Sequence, residues 1–213
     1  MGVSVMLTGW NWIGIILWII AIAYFVFVIH FIRVRQLMLI VKTKKAFAWK
    51  NFLQYVGLLA VSVAAFAMMA YLSFFRSVDY TSHQDVTIST TYRPLVLTSV
   101  DNDFYYAQAQ RRTTGSRPVI SYSYWVKGNK YTVSGHNSAV AVGANPMSMS
   151  ASVYPWSKKQ LAKEDKENGK AFAAEMTIHY KKSFINGLGV RSGRVADQYT
   201  LIRVPAASFV DQK

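Results

Sequence analysis

The chain has no cysteine, only five prolines and only ten acidic residues among its 213. Without cysteine there are no disulfides and no thiolate metal ligands, so whatever folds here is held by packing and hydrogen bonding alone. No acid precedes Asp79, which leaves the first third of the chain with positive charge only. No Asn-x-Ser/Thr sequon occurs, because Asn137 is followed by Ser138 and Ala139, and nothing points to glycosylation. Histidine is scarce too. His30, His83, His136 and His179 show no metal-ligand spacing, and no G-x-S-x-G or comparable nucleophile context appears. Neither a metal nor a cofactor is expected, although a Ser/His/Asp arrangement assembled from distant positions stays open.

What is present is concentrated at the start. Two apolar runs, Trp12 to Ile32 and Phe52 to Phe75, contain no charged residue, and each exceeds the roughly 20 residues that cross a bilayer core. Between them, residues 33–51 carry Arg33, Arg35, Lys42, Lys44, Lys45 and Lys50 with no acid. This predicts a two-helix transmembrane hairpin over residues 1–76, its basic loop in the cytoplasm and both termini outside the plasma membrane. The first run is read as uncleaved, since no Lys or Arg precedes it and no small-residue cleavage site follows. Leu37 to Val41 continue past Arg35 without Pro or Gly, so the first helix is expected to extend into the interface. The second run is rich in small residues, Gly57, Ala60, Ser62, Ala64, Ala65, Ala67 and Ala70, which allow close packing on the first helix or on another membrane protein.

Residues 77–213 read as one extracytoplasmic domain, rich in Tyr, Ser, Val and Thr and therefore mainly β. It holds seventeen of the basic residues and all ten acids, about +7, a balance that favours anionic neighbours such as lipid headgroups or wall polymer. Nucleic acid is not expected in that compartment. The alternation of Val86, Ile88 and Thr90 predicts a strand, and Leu95 to Val100 a second. Pro118 to Ser134 predicts a hairpin about Lys127-Gly-Asn-Lys130, and Ala173 to Lys181 and Gln198 to Val204 two more strands. Ser157 as N-cap and Gly169 beyond the C-terminus bracket one short surface helix. The fold class is thus α+β: a transmembrane helical hairpin followed by a small, mainly antiparallel β domain.

Two clusters are candidates for binding. Asn186-Gly-Leu-Gly-Val-Arg-Ser-Gly193 lacks the spacing and the strand-to-helix context of a dinucleotide fingerprint. It is read instead as a hairpin loop whose Lys181, Lys182, Arg191 and Arg194 form an anion or partner site. Tyr124, Trp125, Tyr131 and Trp156 are either core or an aromatic surface for sugar or peptide. The acids Glu164, Asp165 and Glu167 read as solvated helix charges.

The opening Trp10-Asn-Trp-Ile-Gly-Ile-Ile-Leu-Trp18, the exit His30-Phe-Ile-Arg-Val-Arg35 and the approach Phe47-Ala-Trp-Lys50 resemble those of small two-span membrane proteins of lactobacilli and related Gram-positive bacteria. Residues 119–133 are similar to the Tyr-x-Tyr-x-x-x-Gly-x-x-Tyr hairpin of some membrane-anchored bacterial domains. Neither resemblance implies a catalytic residue. The expected role is a non-catalytic envelope scaffold, sensor or accessory subunit, meeting lipid, anionic wall polymer or another membrane protein. The alternatives are a small envelope enzyme or inhibitor whose site forms only in the fold, and an immunity-type or transporter-associated subunit acting through its hairpin.

Overall fold

A computed structural model describes residues 9–44, 47–80, 82–100, 103–114 and 117–212. In chain order the helices are α1 (Gly9–Thr43), α2 (Trp49–Ala70), α3 (Lys158–Glu167) and α4 (Phe184–Leu188), with a π-helical turn at Tyr71–Phe75. The strands are β1 (Val86–Pro94), β2 (Thr98–Val100), β3 (Asp103–Tyr105), β4 (Ala107–Thr114), β5 (Arg117–Val126), β6 (Asn129–Ser134), β7 (Ser138–Val142), β8 (Phe172–Tyr180), β9 (Val195–Val204) and β10 (Val210–Gln212). They form two compact units. One comprises residues up to Asp79 together with Tyr180–Arg194; the other comprises Tyr80–His179 and the chain from Val195 onward. A division at residue 76 alone would have placed Tyr180–Arg194 with the strands.

In the first unit α1 has 35 residues, about 52 Å at 1.5 Å per residue, against a hydrocarbon core of about 30 Å. It runs on past Arg35, as a stretch without Pro or Gly allows. Gly14, Ala21 and Val28 on α1, and Tyr55, Ser62 and Met69 on α2, are buried. Each series repeats every seven residues, the period of a coiled-coil seam. Trp18 and Phe25 both meet the Phe66 ring edge to face, with centroids 5.8 and 5.6 Å apart. The Trp18 indole donates to Ser73 Oγ at 3.3 Å. Beyond these seam positions most of each helix is bare, with 11% of its most apolar stretch buried. A core helix of a water-soluble protein would be covered, whereas these two are bare on their flanks and long and apolar enough to cross a membrane.

The second unit is a sandwich of two four-stranded sheets, ordered β1-β8-β9-β7 and β10-β4-β5-β6, with β2 and β3 pairing separately. β4, β5 and β6 pair antiparallel, as do β8 and β9, while β7 on β9 and β10 on β4 are parallel. Alternation decides the core. Ala107, Tyr124 and Val126 from one sheet pack against Ala173, Ile202 and Val204 from the other. The opposite face of β8 and β9, with Phe172, Ala174, Met176, Ile178 and Leu201, is also buried.

The hairpin forms where expected, with Gly128 at φ +80°. α3 also forms between its predicted caps: Ser157 Oγ accepts from the Gln160 amide and Gly169 is left-handed at φ +57°. Two local expectations change. Leu95 to Val100 is not one strand, since Leu95 N donates to Ala171 O and Val96 N to Trp125 O, and only Thr98–Val100 pairs regularly with β3. The glycine-rich segment is not a plain hairpin loop, because Phe184–Leu188 is helical, its first turn capped by Ser183.

Candidate functional site

Tyr180–Arg194 is bolted to the helix ends by three sets of contacts. The Asn11 side chain donates to Ser192 O and accepts from the Ser192 amide, both at 2.9 Å, as a buried reciprocal pair. Arg191 donates through Nε to Ser73 O and through Nη1 to Arg76 O, each at 2.9 Å. These are carbonyls that the π-helical turn and the extended residue after it leave open. In return, Arg76 Nη1 donates to Asn186 Oδ1 at 3.1 Å, and Asn186 Nδ2 donates to Lys181 O at 3.0 Å.

Glycine makes this docking possible. A Cβ on Gly187 would lie 2.5 Å from Trp10 O, and one on Gly189 would lie 2.6 Å from Leu72 O. Of the four basic residues singled out in this loop, Arg191 is therefore a clamp on main-chain carbonyls, its guanidinium also lying 5.6 Å from the Tyr180 ring centroid. Lys181, Lys182 and Arg194 are exposed.

The aromatic surface largely dissolves into structure. Tyr124 and Trp156 are buried, 2% and 7% exposed. Tyr124 points inward from β5 and stacks on Tyr131 at 5.6 Å, while the Trp156 indole donates to Ala151 O at 2.8 Å. Both are core residues because a large ring on an inward strand position, or with its N–H met by a carbonyl, fills space that water would otherwise enter. Tyr131 is half-buried under the Arg93 guanidinium, 5.4 Å away. Only Trp125 lies on the outer face of its sheet, between the Tyr105 ring and Lys130 Nζ. Burial first, then the Glu175 charge, pushes the Tyr124 hydroxyl up to about 12. Burial and the 2.9 Å bond to Asp197 drive Tyr154 still further above the ordinary tyrosine value.

Sequence reasoning missed an apolar opening in this unit. A groove of about 560 Å³ is lined by Ala109, Ile120, Tyr122, Val140, Val142 and Val210, with Gln110 and Arg111 among its polar members. β7 forms one wall and is the edge of its sheet. Asn137 O and the Gly143 amide bond to β9, so strand alternation turns the N–H and C=O of Val140 outward, unpaired by any described strand. A five-residue strand of Ser, Ala and Val is too short to announce itself by pattern. A second cavity of about 320 Å³ lies at the hairpin turn among Tyr92, Arg93, Lys127, Asn129 and Tyr131.

A hairpin of two apolar helices, each long enough to cross a membrane, joined to a small β sandwich defines an α+β protein. A family model matches residues 9–211, and the chain belongs to that family, whose "-like" description, taken from a lactobacillus locus tag, states no activity. No curated protein and no solved structure matches the chain.

Proposed function

We propose that the protein is a non-catalytic component of a Gram-positive cell envelope, anchored in the plasma membrane by its hairpin and presenting its β sandwich outside. The observation that carries this reading is the groove beside the open β7 edge. Its walls are mainly aliphatic, and the outward main-chain groups of Val140 are free to pair. Such a site suits an extended segment of a partner protein, taken as an added strand with apolar side chains in the groove. Its lining includes no His, Asp, Glu, Ser or Lys, whereas general acid/base or nucleophilic chemistry needs such groups to converge. The basic loop between the helices supports the orientation.

The test has two halves. In the cysteine-free chain, Asn137→Cys, at an exposed position, is expected to react with a membrane-impermeant thiol reagent on intact cells, and Lys44→Cys only after permeabilisation. The reverse pattern would refute the orientation. A photocrosslinking residue at Val142 is expected to give one discrete light-dependent adduct in living cells, against none at Thr87. Equal labelling at both positions, or none at either, would count against the groove as a partner site.

A further inference from the structure

We propose that the segment Lys181–Leu188 is a membrane-interface element whose lysines engage the headgroups of anionic phospholipids. The proposal rests on the hairpin crossing a bilayer and not on which side the segment faces.

Depth comes first. Trp10 and Trp12 stand at the edge of the apolar window of α1, and Phe74 and Phe75 at the end of the α2 span, the places where aromatic side chains meet the headgroup level. α4 is held at that level. Gly187 sits against the Trp10 carbonyl, Gly189 against the Leu72 carbonyl, and Gly14 against the carbonyls of Gly187 and Leu188. Phe184 meets the Trp10 ring edge to face at 6.2 Å. Contacts this close, main chain against main chain, leave α4 little freedom to sit elsewhere.

The side chains that α4 carries then matter. Phe184 and Ile185 remain 51% and 49% exposed although docked, and Asn186 and Gly187 on the other side of the same turn are buried. A helix of five residues with two large apolar groups turned out, fixed beside bilayer-crossing helices, has its exposed face in the acyl boundary. Lys181 and Lys182 precede it and are exposed. Apolar side chains entering the boundary with adjacent lysines at the phosphates is the pattern of an interfacial anchor that favours anionic lipid. Arg191 has no share in this, because its guanidinium is spent on Ser73 and Arg76.

The experiment uses the full chain in vesicles, with Ile185→Cys carrying a bimane and the lipids brominated near the glycerol end of the acyl chains. A bimane at Val63→Cys, in the α2 span, reports insertion of the hairpin independently. Quenching at 185 is expected from brominated lipid. At equal mole fraction, brominated phosphatidylglycerol should quench several-fold more than brominated phosphatidylcholine. Lys181→Gln with Lys182→Gln should bring that ratio to about one, and Lys181→Arg with Lys182→Arg should restore it. If position 63 is quenched and 185 is not, the segment lies in water and the proposal fails while the anchor stands. A ratio of one in the native chain, or one unaltered by the double Gln variant, would overturn the headgroup preference.

Discussion

Arg203 is fully buried and leaves none of its five donors idle. Nε and Nη2 hold Asp165 at 2.9 and 3.0 Å, and the remaining donors reach the carbonyls of Ala141, Gly143 and Asn145. One guanidinium thus ties β9, β7, the turn after it and α3. Truncation strands a carboxylate and three carbonyls, so Arg203→Leu is expected to destabilise the protein by about 3–5 kcal/mol, read as a fall in thermal midpoint in detergent. An unchanged midpoint would show those groups rehydrating freely. Tyr124 gives a pH test at the same scale. Its folded value lies above the ordinary 10.0, so the native state holds the proton longer than the unfolded chain. That contribution is complete below pH 10 and is lost as pH rises from 10 toward about 12. Tyr124→Phe is expected to flatten the stability curve across that interval. An alkaline slope identical to that of the native chain would assign the loss to other groups.

At the scale of elements, α4 and its flanks depend on backbone proximity more than on side-chain burial. Gly187→Ala drives a Cβ into the Trp10 carbonyl and is expected to cost about 1–3 kcal/mol. Gly57→Ala, on α2 with nothing within 4 Å of the added atom, should be neutral or slightly stabilising. Equal thermal midpoints for the two would mean that the close approach relaxes at no cost. Asn11→Ala removes both bonds to Ser192, leaving a buried N–H and C=O unmet at about 1–3 kcal/mol each. Limited proteolysis between residues 181 and 194 should accelerate. The helices, the 118–134 hairpin and α3 were legible because their signals are local: uncharged length, alternation about a Gly turn, a Ser cap. The docking of 180–194 was not, because the partners Asn11 and Ser192 are 181 residues apart and Arg191 binds main-chain carbonyls, which have no sequence signature.

For the whole molecule, the proposed orientation rests on the six basic residues between the two apolar helices. Replacing Lys42, Lys44, Lys45 and Lys50 by Gln while retaining Arg33 and Arg35 should produce a mixed population, seen as partial protection of a thiol at Asn137→Cys on intact cells. Full accessibility would mean that two arginines suffice or that the β unit sets the orientation. The sequence by itself determined two helices long and apolar enough to cross a membrane, the α+β class and the strand-rich remainder, because these follow from residue type summed over contiguous windows. Tertiary structure alone decided that Tyr124 and Trp156 are core, that Arg191 caps helix carbonyls, that Tyr180–Arg194 groups with the helices and that β7 leaves an open edge over a groove. Those outcomes depend on which distant segment lies opposite each residue, and a backbone carbonyl or a free strand edge looks the same in every sequence.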